Sequence, residues 1–275
     1  MVQVEHLTIS GLPLLRVGPQ KVSASTPVLL WLHAGKFTDG CAVEALPLAQ
    51  ALADDAVLLL PDYPLAPAKP FPAALDASFA LLKWVLDGAK TRKVFVGGER
   101  AGGNLAAALA LRARDEGLKG LAGQILLAPL LDPSQNTDSM RAATGCPCAQ
   151  AWREYLPRRA DSLHPYAAPL VASRLAGLVP ALVLTGEQDP ARDEAEQYAA
   201  RLLTHGVPTQ VLRLHTDDTP VVSASNATTD AVLHVIRNFI GQQAAQTRPA
   251  ARRPARRAAK SAEQPNQAAV PLLQN

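Results

Sequence analysis

One stretch of this sequence holds a pattern suited to covalent chemistry, and the pattern is broken at its centre. Val96-Gly97-Gly98-Glu99-Arg100-Ala101-Gly102-Gly103-Asn104-Leu105 follows an apolar run and leads into an amphipathic one, so its glycines fall at a tight strand-to-helix turn. Such a turn presents a nucleophile on strained backbone, and small residues are needed on either side of it. The pattern that does this is G-x-S-x-G. Here Gly98 and Gly102 keep the frame, but Arg100 stands at the serine position. A guanidinium stays protonated at any pH a protein meets, so it is no nucleophile. The other candidates are weaker. Cys41, Cys146 and Cys148 include none on such a turn, and Cys146-Pro147-Cys148 has no second Cys/His pair with which to hold a metal. His215, Asp217 and Asp218 lack a fourth ligand and read as a solvated loop. No metal and no cofactor is expected.

The elements that must position this turn are legible in the periodicity. Short apolar runs at 27–33, Ala56–Leu60, Lys93–Gly97, Gln124–Leu131 and Pro180–Thr185 suit strands buried on both faces, and Thr209–Leu214 adds one more. Between them lie amphipathic stretches at Cys41–Ala53, Phe71–Leu86, Gly103–Arg114 and Arg192–Leu203, with a last at Thr228–Ile240. The alternation predicts an α/β protein with a doubly wound, mostly parallel sheet. Gln3–Ile9 and Leu12–Val17, separated by Ser10-Gly11, predict a leading hairpin. From Asp132 to Leu178 the rhythm stops, with only a helix expected around Ala149–Tyr155; an insertion placed there reads as a small lid.

The 275 residues, 48% of them hydrophobic and 19% charged, suffice for one large domain, expected over 1–243. No apolar run approaches the roughly 20 residues that span a bilayer. Met1–His6 lacks the basic and apolar regions of a secretory signal, and the unpaired cysteines suit a reducing compartment, so the expected location is cytoplasmic. The net charge of +3 is unevenly placed. From Thr247 onward Arg248, Arg252, Arg253, Arg256, Arg257 and Lys260 face only Glu263, which leaves the rest of the chain slightly acidic. Residues 244–275 are expected to form a disordered basic tail, able to contact an anionic polymer or a membrane surface, though it has no aromatic residue to stack on bases.

With these motifs in place, the chain resembles the hormone-sensitive-lipase-like family of α/β-hydrolases, which includes acetyl esterases and carboxylesterases. His33-Ala34-Gly35-Lys36-Phe37 resembles the HGGGF oxyanion loop, and Asp62–Pro67 followed by Pro70–Ala74 resembles DYRLAPE and HPFPAA. Gly97–Leu105 resembles GGDSAGGNL, and Asp189–Glu194 resembles DPLRDE, whose first aspartate orients the catalytic histidine. The resemblance covers roughly residues 25 to 240 and implies an α/β-hydrolase fold and an esterase- or lipase-like site.

The departures then bear on activity. Ungapped alignment to the family's YPGMIHGF segment places Pro220 at the catalytic histidine, and proline cannot shuttle a proton. Of the triad only Asp189 remains. Ala34, Gly35 and Ala101 still offer oxyanion donors, while Lys36 replaces the last glycine of that loop and Pro64 replaces an arginine. The short N-terminus implies a reduced cap and a more open pocket. Two readings of Arg100 stay open: a salt bridge to Asp189 that plugs the old site, or, with Lys36, a cationic floor that binds a ligand carboxylate or phosphate. The expected function is a catalytically inactive protein that binds a small acidic or ester-like ligand or a partner. Plant gibberellin receptors resemble the same family, lost its histidine and bind an acidic ligand. The alternatives are a residual or repurposed carboxylic-ester hydrolase acting on short-chain esters through an unrecognised nucleophile, since a His215 swung inward would find none to activate at Arg100, and a scaffold acting through its tail. Family members often pair through their last strand and helix, so a homodimer is a further expectation.

Overall fold

The computed structural model describes residues 2–143, 148–215 and 227–245, side chains included except at 227–229. β1 (Val2–Ile9) and β2 (Leu12–Pro19) form the expected antiparallel hairpin. Next come β3 (Val28–Leu32), β4 (Val57–Pro61), β5 (Val94–Glu99), β6 (Leu121–Leu127), β7 (Ala181–Gly186) and β8 (Thr209–Leu214). They make one eight-stranded sheet in the order β1-β2-β4-β3-β5-β6-β7-β8. β2 joins β4 antiparallel, and β3 through β8 run parallel.

Parallel strands need both faces covered, and the alternation of side chains sets up two cores. Leu30, Val96, Leu126 and Val183 pack on one face beneath α2 (Ala73–Ala89), α3 (Ala101–Asp115) and α6 (Arg192–Thr204). Leu29, Phe95, Ile125 and Leu182 pack on the other beneath α1 (Leu46–Leu52) and α7 (Ala227–Ala245). The lid insertion holds α4 (Asp138–Ala142) and α5 (Cys148–Tyr155), with short 3-10 turns at Arg159–Leu163 and Pro169–Val171 and no strand among its described residues.

Three element boundaries and one short helix differ from expectation. Cys41–Ala53 is no single helix: a 3-10 turn, Ala42–Ala45, precedes α1, because Pro47 lacks an N–H and fits only a first helical turn. The strand expected at Gln124–Leu131 ends at Leu127, where Ala128 turns to φ +43° ahead of Pro129. α4 was not expected; its signal is Thr137, whose hydroxyl caps the N–H of Met140. The helix expected at Thr228–Ile240 runs on to Ala245 through good helix formers, Gln and Ala. The remainder of the tail lies outside the described residues, as do Cys146, Asp217, Asp218 and Pro220. No described helix is long and apolar enough to cross a membrane.

Candidate functional site

The elbow is built where the sequence places it. β5 ends at Glu99, α3 begins at Ala101, and Arg100 between them has φ +54° and ψ −116°, a region a residue with a side chain enters only under constraint. Its backbone is tied on both sides: the Arg100 N–H donates to Leu127 O at 3.0 Å, and its carbonyl accepts from the N–H groups of Asn104 and Leu130, each at 3.1 Å. Glycine is obligatory around it. A Cβ on Gly102 would lie 2.1 Å from Leu32 O, and one on Gly98 would lie 2.4 Å from the Gly102 carbonyl.

The Arg100 side chain reaches across to the loop after β7. Its Nη1 donates to Asp189 Oδ1 at 2.7 Å, with the Asp189 side chain 0% exposed and that of Arg100 17% exposed. Asp189 Oδ1 also accepts the Ala191 N–H at 2.7 Å, while Oδ2 is buried with no hydrogen-bond partner among the described residues. A buried carboxylate requires a counter-charge. A cation at the N-terminus of α3 is for its part opposed by the helix dipole. Each charge therefore compensates the other: the salt bridge of the first reading is formed, and it leaves one edge of the guanidinium, 17% of that side chain, exposed.

The cationic floor is not formed. The Lys36 Nζ pairs with Asp39 Oδ2 at 2.8 Å and its N–H donates to Asp39 Oδ1 at 2.6 Å. Burial works against the charge of Asp39, but these contacts with Lys36 hold its carboxyl below the usual range. The oxyanion expectation is also corrected in part. Ala34, Gly35 and Ala101 do come together, but the Ala101 N–H donates to Gly35 O at 3.2 Å, so the donor that follows the elbow residue is taken up by the loop that should accompany it. Gly35 can turn its carbonyl this way because it sits at φ +134°. The loop is braced by a contact the sequence did not disclose. Tyr63 donates its hydroxyl to His33 O at 3.0 Å and stacks on the His33 ring at 3.9 Å, supplying the polar support that Pro64 lacks. Burial pushes the His33 imidazole below its ordinary pKa, although Nδ1 lies 2.6 Å from Ala34 O. Phe37 stacks on Tyr155 of α5 at 4.0 Å, which fastens the lid to the same loop.

Other candidates stay apart from this cluster. His215 faces solvent, its ring nitrogen 2.8 Å from Glu187 Oε2, and does not bond to Asp189. Cys41 is exposed and Cys148 buried on α5; neither lies on the elbow. Among the described residues no cluster of His, Cys, Asp and Glu could hold a metal ion.

Two buried polar residues bind the site to the lid. Asn104 donates from Nδ2 to Leu130 O at 2.7 Å and to Ala167 O at 3.0 Å. Glu194, at 1% exposure, accepts the Asp132 N–H at 2.8 Å. Burial, with the charges of Asp132 and Asp189 adding to it, raises the Glu194 pKa well above that of a free glutamate, despite hydrogen bonds from the Leu131 and Asp132 backbone. A carboxyl whose folded pKa is raised stabilises the fold fully below its unfolded pKa and loses that contribution as pH rises toward the folded one. Glu194→Gln, neutral at any pH, is therefore expected to flatten the fall in melting temperature as pH rises above the ordinary glutamate range. A slope equal to wild type would show Glu194 to be ionised in the fold.

Comparison with known proteins agrees with this architecture. A profile of the α/β-hydrolase fold family matches residues 29–218. Esterase LipI of Mycobacterium tuberculosis is 33% identical over 68% of this chain, which spans 63% of that protein's length. The gibberellin receptor GID1 of Oryza sativa subsp. japonica is 30% identical over 68% of the chain and 58% of its own length. Among solved structures, a bacterial heroin esterase superposes with a TM-score of 0.79 at 29% identity, covering 89% of this chain and 85% of that one.

Proposed function

The chain belongs to the α/β-hydrolase family, in its hormone-sensitive-lipase-like branch, and from that premise we propose that it acts by binding a small acidic or ester-like ligand rather than by hydrolysing one. The observation that carries this reading is the ion pair Arg100–Asp189 at 2.7 Å on the elbow. A serine hydrolase uses that elbow for a nucleophile and that aspartate to hold an imidazole. Here the two groups are joined to each other. The relatives cover both outcomes: LipI is named an esterase and GID1 a receptor.

A ligand carboxylate has a reason to bind at this place. A guanidinium carries five N–H groups, and Asp189 takes one from Nη1, so an anion approaching the exposed edge of Arg100 can share the cation with Asp189. The N-terminus of α3 adds its own positive potential. Thermal denaturation with butyrate, benzoate and their methyl esters tests this. At ten times Kd, butyrate or benzoate should stabilise the protein by about 1.4 kcal/mol, raising Tm by roughly 3–6 °C, and Arg100→Gln should lose the shift. Turnover of the esters, with no shift from either acid, would restore the reading of a working hydrolase.

A further inference from the structure

We propose that the free edge of β1 is the contact by which two copies of this chain pair, joining their sheets antiparallel across a two-fold axis at Val4. β1 closes the sheet at one end and has a neighbouring strand, β2, on one side only. Its ladder with β2 runs unbroken from Val2 opposite Pro19 to Ile9 opposite Leu12. The turn between them has two residues, Ser10 at φ +52° and Gly11 at φ +76°, which makes Ile9 and Leu12 a hydrogen-bonded pair. By alternation Leu7, Glu5 and Gln3 also bond to β2, while Thr8, His6, Val4 and Val2 turn their N–H and C=O groups outward. The prolines of β2 agree with this phase. Pro13 and Pro19 stand opposite Thr8 and Val2, where the hairpin asks for no N–H from β2.

Sheet edges that stay single are guarded by proline, lysine, a bulge or a very short strand. β1 has none of these along its eight residues. Its carboxylate, Glu5, lies 3.5 Å from Arg16 of β2, and Val2 and Val4 leave apolar side chains 37% and 40% exposed beside the edge. The occupant that fits is the same strand, because antiparallel pairing across a two-fold axis sets a strand against itself. That axis is normal to the sheet, so each face continues and outward-bonding residues meet one another. An axis at Glu5 would bring the two carboxylates face to face, and one at His6 would carry Val2 past the strand to the turn residue Ser10. At Val4 the two valines meet, Val2 lies opposite His6 of the second copy, and the Gln3 amide meets Glu5 of the second copy. This last contact is charge-assisted and is made twice. Main-chain hydrogen bonds supply the attraction and the side-chain pairs supply the register. A contact one strand wide is narrow, so the pairing is expected to depend on concentration.

The test is sedimentation velocity across a dilution series, with the full chain, Val4→Pro, Val4→Lys and, on the opposite edge strand β8, Val211→Lys, a position 43% exposed. Wild type should pass from monomer to dimer as concentration rises. Val4→Pro removes the two N–H groups that cross the axis and should weaken association about tenfold or more. An edge strand admits proline there, since the Val4 N–H takes no part in the hairpin. Val4→Lys keeps every backbone group and should weaken pairing too, because two ammonium groups would meet on the axis. Thermal denaturation of the dilute variants checks that both are folded. Val211→Lys should pair as wild type does. A chain that is monomeric at every concentration would overturn the proposal, as would a dimer that survives both Val4 variants. Dissociation by Val211→Lys in place of them would overturn it in favour of β8.

Discussion

Purified protein is expected to hydrolyse p-nitrophenyl acetate and butyrate at the rate of the uncatalysed reaction in the same buffer. Attack on an ester by this fold needs a group that gives up a proton and a base that accepts it. Arg100 cannot do the first, and the described imidazole nearest in sequence to the expected base, His215, is paired with Glu187 in solvent. In a triad enzyme, removal of the nucleophile alone costs about 10⁶-fold in kcat. Arg100→Ser should remain inert, because it restores a hydroxyl with nothing to activate it. Arg100→Ser/Pro220→His should rise above background, yet stay at least about 10²-fold below a competent esterase, because the Ala101 N–H that an oxyanion needs donates to Gly35 O. Initial-rate assays with both esters decide this. Wild-type turnover that survives repurification and is titrated by a covalent inhibitor would show that another nucleophile works in the site.

The fold and the place of the site were legible in the sequence for separable reasons. Runs such as Val57–Leu60 and Val94–Val96 are apolar without a helical period, which marks strands covered on both faces, and Gly98-x-x-x-Gly102 marks a turn where backbones meet. These are local signals. What was not legible depends on contacts between distant residues. The Arg100–Asp189 pair, 89 positions apart, was one of two open readings; the choice between them rests on β5 and β7 lying on either side of β6, which fixes no side-chain direction until the sheet is assembled. Lys36 was read as part of a cationic floor because its charge was visible, while the turn that brings Asp39 back onto it was not. Tyr63, Asn104 and Glu194 stood within recognised motifs, but their types alone did not say which carbonyl or N–H each would meet. Pro220 lies beyond what the structure describes, so its place rests on alignment.

Arg100→Met is expected to destabilise the protein by about 3–5 kcal/mol, as seen when one partner of a buried pair is removed and the other charge stays unpaired. Methionine keeps a side chain of similar length on the same strained backbone, so the loss measures charge rather than conformation. Asp189→Asn should cost less, about 1–2 kcal/mol, because Arg100 is 17% exposed and can turn its guanidinium to water, whereas Asp189 at 0% cannot. The double variant Arg100→Met/Asp189→Asn should be more stable than Arg100→Met alone, with a coupling energy of about 2–3 kcal/mol. Urea unfolding at constant m gives all three values. This asymmetry separates the two uses of the arginine. An elbow cation kept only to meet a ligand would leave the ligand-free fold indifferent to its loss, and Arg100→Met would then unfold at the wild-type urea midpoint. A large loss, recovered when Asp189 is neutralised as well, would mean that the former catalytic acid now depends for its burial on the residue at the nucleophile's position, so that restoring serine alone destabilises the site it is meant to repair.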